Sequence, residues 1–296
     1  MNKSLHHRRA PWRCRLSVVA ALLFFTVAAG AEPAMWVIKD KDSTIYLIGT
    51  LHLLRHDMEW NAAKVKKTVG ESTELWLEIA DAENQANLLP VMQKYGFDRE
   101  NPLSGKLNAA QKEKLSKVAA SYNLPLPVLE PMRPWTVALM FAILPLQKAG
   151  YDPAAGVDRM LKAQAEKEGD KIFGFETAEE QVRFLAELPE PDQIAFLEET
   201  LDDAEKGLAL LEKLATAWLN GDTETIGRVL VDEMKTKAPA LYDKLLVQRN
   251  IRWAEKIAGI LKNPGVRQIA VGAAHLAGPD SLQVQLAKRG IKVEPY

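Results

Sequence analysis

Thr44-Ile45-Tyr46-Leu47-Ile48-Gly49-Thr50-Leu51-His52 is an apolar run that closes on a glycine and, three residues later, a histidine. Gln268-Ile269-Ala270-Val271-Gly272-Ala273-Ala274-His275 repeats the arrangement near the other end of the chain. Short runs rich in Ile, Val and Tyr read as strands. A glycine at the strand's end lets the chain turn without a Cβ clash. The histidine then falls in the loop above the strand's C-terminal edge, where open α/β sheets place their sites. The two histidines meet only if their strands are neighbours in one sheet. The pair therefore sets an expectation for the fold: N- and C-terminal strands side by side in an α/β core.

The intervening chain fits that frame. Residues 35–38 pair with 44–48 as a hairpin around Asp40-Lys41-Asp42. Leu75-Trp76-Leu77-Glu78-Ile79 is a third strand and 171–175 a fourth, with 291–293 expected as the last. Helices are expected over 81–95, 108–122 with Asn108 as N-cap, 133–148 with Pro145 ending or kinking it, 153–169 and 281–289. Thr177-Ala178-Glu179-Glu180 matches a capping box, and the pattern stays helical to residue 262. The architecture expected is α/β (α+β), a central mixed sheet with a large helical insertion at about 81–170 and 177–262.

Residues 1–31 read as a signal peptide: a basic start (Lys3, Arg8, Arg9, Arg13, Arg15), an apolar stretch from Leu16 to Ala29, and small residues for cleavage after Ala31. The stretch is short against the roughly 20 residues of a membrane span; retention as an anchor is the alternative. Removing five basic residues from 38 leaves 33 against 39 acidic, a net charge near −6. Such a chain has no attraction for nucleic acid. The only cysteine, Cys14, leaves with the signal, so the mature domain (32–296) has no thiol chemistry. It is expected to be periplasmic or secreted, and soluble or peripheral to a membrane.

Histidine is the commonest metal ligand and the usual acid–base residue near neutral pH. Glu78 lies near the end of an apolar strand and reads either as a glutamate pointing to solvent or as the acid that, with His52 and His275, would complete a His₂–carboxylate set suited to a divalent metal. Glu176 follows the fourth strand and reads either as a second acid or as favourable charge at a helix N-terminus. Arg249-Asn250 lies in a helical pattern, open between a solvated face and a clamp for a carboxylate or oxyanion. Asp158 and Arg159 are open between a partner that orients a histidine and a surface ion pair. His56 reads as a loop residue, and Trp135, Trp218 and Trp253 as core. No Gly-x-Ser-x-Gly elbow, P-loop, Rossmann glycine set or His-Glu-x-x-His helix occurs, which argues against serine hydrolases, nucleotide enzymes and the common zinc proteases.

In order along the chain, Ile45–His52, Leu77-Glu78, Gly156-Val157-Asp158, Gly174-Phe175-Glu176-Thr177 with Glu180-Gln181, Arg249-Asn250 with Trp253, and Val271–Leu276 resemble the TraB/PrgY/GumN family, which is related to the Tiki proteases. Phe175 stands where that family usually has leucine. The resemblance implies an erythromycin-esterase/Tiki-like core with both tetrad histidines and an acid at one site. It implies metal ligands at His52, His275 and Glu78, and catalytic or pocket roles for Glu78, Glu176, Arg249 and Asn250. The cofactor implied is a divalent metal (Mn, Co or Zn), and the substrate a peptide or exported protein. The alternative is a non-catalytic binder of a peptide, pheromone or haem.

Overall fold

The computed structural model describes residues 32–60, 63–202 and 207–296. The proposed signal at 1–31 lies outside the described residues. The strands are β1 (Met35–Lys39), β2 (Ser43–Thr50), β3 (Glu74–Ile79), β4 (Lys171–Glu176), β5 (Gly265–Gly272) and β6 (Glu294–Pro295). They form one sheet in the order β4-β3-β5-β2-β1-β6. The four strands β4, β3, β5 and β2 run parallel, and β1 is antiparallel to β2 and β6. The sheet is mixed, with helices in every long connection, so the α/β expectation holds. The tetrad strands β2 and β5 are direct neighbours, with Thr50 opposite Gly272.

The alternation of side chains along β2 explains the layers. Tyr46 and Ile48 point into one apolar layer with Leu75, Leu77 and Ala270. Ile45 and Leu47 point into the other with Ile269, Val271, Trp253 and Ile257. Both faces are covered, as parallel strands require. A third apolar cluster sits among the helices Ala109–Ser121, Pro134–Lys148 and Glu190–Asp202, centred on Leu115, Phe141 and Leu197. The helical insertions thus bury a core of their own. No described helix is long and apolar enough to cross a membrane.

Local signals account for most boundaries. Asp40 accepts the Ser43 N–H and closes the β1–β2 turn. Asn108 and Gln111, and Thr177 and Glu180, form reciprocal capping boxes. Three expectations need correction. The helix expected over 81–95 starts at Gln85, because the Asn84 side chain caps it through the Ala86 N–H. Pro145 does not stop its helix, which runs on to Lys148; so near the C-terminus a missing N–H removes only one bond of the last turns. The last strand is Glu294–Pro295, not 291–293; Ile291 and Val293 pack their side chains on the sheet layer, while only Glu294 and Pro295 pair with β1.

Candidate functional site

The parallel strands bring their C-terminal ends to one edge, and each contributes a polar group there. Thr50 ends β2 and Gly272 ends β5 beside it. Glu78 lies near the end of β3, and Glu176 ends β4 opposite Ile79. The tetrad glycines work by close approach. Neither has a positive φ. A Cβ on Gly49 would sit 3.0 Å from the Cα of Ala273, so the first tetrad packs against the second. A Cβ on Gly272 would sit 3.0 Å from Glu78 Oε1 and 3.7 Å from His52 Nε2, with the His275 ring at the same distance. Both histidines and Glu78 therefore surround one glycine. Trp218 Nε1 donates to the Gly49 carbonyl at 2.7 Å and holds the first turn in place.

The buried half of the site is organised by Arg249, which is only 5 % exposed. It sits one residue into the helix Gln248–Ile260, directly after a wide π-helical turn, Asp243–Val247. Such turns carry an extra residue and recur at functional sites. Every guanidinium nitrogen is engaged. Nε donates to Glu176 at 3.0 Å. NH1 donates to the Leu245 carbonyl and to His275 Nε2, both at 3.0 Å. NH2 donates to Glu78 Oε2 and lies 2.9 Å from Glu176 Oε2 in an ion pair. Trp253 lies under the guanidinium at 4.6 Å and donates Nε1 to Glu176 at 3.1 Å. Glu176 thus anchors Arg249 rather than facing open space.

His275 is buried, with its ring 4.4 Å from that of Trp253. Its Nδ1 lies 2.7 Å from the Asn250 amide oxygen, which only accepts. Nδ1 therefore carries the proton, and Nε2 accepts from Arg249. Asn250 gives its NH₂ to the Asp280 carbonyl at 2.9 Å, so it orients His275. Burial pushes the His275 pKa down to about 3, and the Arg249 charge adds to the effect. Burial pushes the Glu78 carboxyl up, but Arg249 and the two histidines outweigh it and hold it well below the usual carboxylate range. Glu78 also accepts from the Gly272 N–H at 2.7 Å and the Gln181 side chain at 2.9 Å.

His52 occupies the open half. Its side chain is 56 % exposed, and Nδ1 meets Asp158 at 3.2 Å. Lost hydration opposes protonation, but the Asp158 carboxylate prevails and raises the pKa to about 9. The Asp158 helix, Val157–Glu168, is seated by Gly156, where a Cβ would meet the His52 carbonyl at 2.4 Å. Val157 N–H donates to the Leu51 carbonyl at 2.9 Å. A cleft of about 240 Å³ opens beside His52, Glu78 and Gln181.

All six sequence candidates (His52, Glu78, Glu176, Arg249, Asn250 and His275) lie in this one assembly. Gln181 and Trp253 were not singled out as site residues. Gln181 entered only within the family pattern, and Trp253 only as core, which it also is. His56 pairs with Asp152 in an exposed loop at 2.9 Å, as its reading as a loop residue implies.

The donor chemistry suits a divalent metal: each histidine has Nδ1 fixed by an oxygen, the usual support for a ligand that binds through Nε2. The positions are less ready. Glu78 Oε1 is 3.8 Å from His275 Nε2, and that nitrogen serves a metal only when Arg249 NH1 releases it. Among the described residues no group of three His, Cys, Asp or Glu stands at ligating distances.

Relatives place the chain. The uncharacterized protein YbaP of Escherichia coli strain K12 is 25% identical over 256 residues, covering 86% of this chain and 92% of that protein. YbaP of Shigella flexneri is 26% identical over 243 residues, covering 81% and 87%. No solved structure matches significantly. The TraB/PrgY/gumN family pattern matches residues 34–295, nearly the whole described fold, and the chain belongs to the TraB/PrgY/gumN family.

Proposed function

We propose that this site is a metal-dependent hydrolase centre acting on peptides or exported proteins outside the cytoplasm. The observation that carries the reading is the convergence of His52, Glu78 and His275 around Gly272, at the C-terminal edge of three parallel strands. His52, Glu78 and His275 would hold the metal, and Mn, Co and Zn suit that donor set. When bound, it supplies Lewis acidity toward a carbonyl and a more acidic water. The chain's own residues prepare the ground. Asp158 and Asn250 fix the two imidazoles, Gln181 and Gly272 fix Glu78, and Glu176 fixes Arg249. Export rests on the reading of residues 1–31.

A specific observation favours a second reading, capture of a ligand without turnover: Arg249 is engaged on every guanidinium nitrogen and His275 has no free nitrogen. One experiment separates the two. The mature protein and a His52→Ala/His275→Ala variant are stripped, reloaded with Mn²⁺, Co²⁺ or Zn²⁺, and assayed for metal by mass spectrometry and for cleavage of a peptide library. Near-stoichiometric metal with cleavage, both lost in the variant, supports the hydrolase. Wild-type protein with neither metal nor cleavage sinks it in favour of capture.

A further inference from the structure

The cleft beside His52 has a floor made by alternate residues of three strands: Thr50 of β2, Ala270 of β5 and Leu77 of β3. The small Ala270 in the middle leaves the space. Thr50 supplies the floor's only hydroxyl. It is 2 % exposed, and its Oγ1 has no hydrogen-bond partner among the described residues. An unpaired buried hydroxyl is costly, and native structures satisfy such groups with protein, water or ligand.

The remaining polar groups divide sharply. The two carboxylates on the cleft are already served, Asp158 by His52 and Glu78 by Gln181, Gly272 and Arg249. Arg159, exposed on the cleft's wall, makes no direct hydrogen bond or ion pair among the described residues; Glu83 and Asp152 feel its charge from farther off and pair directly with Lys162 and His56. Arg159 can only donate and the Thr50 hydroxyl can donate as well as accept, so one acceptor meets both, and the charge without a direct ion pair is positive. At about 240 Å³ the space falls below the roughly 300–1,000 Å³ of pockets that engulf a whole drug-sized ligand, so it suits a single residue of a longer chain.

The geometry points to a carboxylate-bearing residue of the substrate as the occupant, its charge met by Arg159 and an oxygen by the Thr50 hydroxyl. As a statement about substrate it rests on the hydrolase reading. The carboxylate has two sources, an acidic side chain or a free chain terminus.

The test titrates the mature protein with four small probes and follows backbone amide shifts by NMR. Acetyl-Glu-NH₂ against acetyl-Gln-NH₂ reports a side-chain carboxylate. Acetyl-Ala-OH against acetyl-Ala-NH₂ reports a terminal one. In one of the pairs the acid is expected to bind about tenfold tighter than its amide, as charge-assisted hydrogen bonds imply. Arg159→Ala, an exposed change that leaves the core intact, is expected to abolish that preference. Thr50→Val, nearly isosteric, is expected to weaken the preferred acid about fivefold. Equal binding of acid and amide in both pairs, or no binding, overturns the inference. So does an acid preference that survives in Arg159→Ala. The peptide-library assay stands apart: acid preference without cleavage sinks the hydrolase and leaves the carboxylate site, while cleavage indifferent to acids does the reverse.

Discussion

His52 and His275 close the same tetrad on adjacent parallel strands, yet they occupy opposite environments. His275 is sealed under Trp253 and held between Asn250 and Arg249, and burial keeps it neutral. His52 stands at the mouth of a cleft, and Asp158 keeps it charged through neutral pH. A motif at a strand end fixes where a histidine goes. What the histidine is there is decided by partners brought in from other segments: the helix Val157–Glu168 for one and the helix Gln248–Ile260 for the other.

The strongest way to break the contrast is to remove Arg249. Arg249→Met leaves Glu78 and Glu176 buried without their counter-charge, and breaking a buried pair in this way costs about 3–5 kcal/mol. Urea unfolding at pH 7 checks it. A loss below about 1 kcal/mol would show that the guanidinium does not hold these carboxylates together.

Acid should separate the two histidines next. In the metal-free protein the folded pKa of His275 lies below the unfolded value of about 6.5. Its contribution is complete above 6.5 and is lost as pH falls toward 3, with a slope of about 1.4 kcal/mol per pH unit. Glu78, depressed by Arg249, adds to the loss below the ordinary carboxylate range. His52 has the opposite sign: its raised pKa contributes stability below 6.5 that fades as pH rises through about 9. Denaturation midpoints from pH 4 to 9 should fall on both sides of the near-neutral region. His275→Gln should flatten the acid side alone; an unchanged acid limb would refute the assignment.

Gly272→Ala tests the shared ground between them. Its Cβ would press on Glu78 Oε1 at 3.0 Å, a strain expected to cost about 1–3 kcal/mol. In proton NMR it should disturb the imidazole signals of both histidines. Disturbance of one alone would mean that they are not coupled through this glycine. The smallest change is Asp158→Asn. The His52 titration should drop below about 9 while His275 stays put, and the stability lost with it should be small because solvent screens this half-exposed pair.

The first five strands and both tetrads were legible because alternation and strand-end glycines are local. Glu78 was legible because an acid at the end of an apolar strand needs a reason. The division of labour was not. Arg249 and Asn250 were open between a solvated face and a clamp for a carboxylate or oxyanion; the guanidinium instead engages Glu78, Glu176, His275 and Leu245 of its own chain, and Asn250 turns to His275 and Asp280. Those partners lie up to 171 residues away, beyond any local pattern. Gln181 escaped for the same reason: the capping box locates its helix, but only the packed fold brings its amide to Glu78. The tetrad glycines were legible as glycines but for another cause, since close packing and not a left-handed backbone requires them.

The sheet order has a consequence for how the molecule is made. β5, which starts at Gly265, lies between β2 and β3, so the last long strand to be synthesised fills the middle of the sheet. Until it emerges, β2 and β3 each keep an open edge of the kind that invites aggregation. No N-terminal fragment can close the sheet or gather the two histidines. Completion waits for the whole chain and for contacts of long sequence separation, which slow folding. Such a polypeptide stays unfinished for as long as it is being made, and any truncation before Gly265 is expected to yield insoluble material instead of a smaller folded domain.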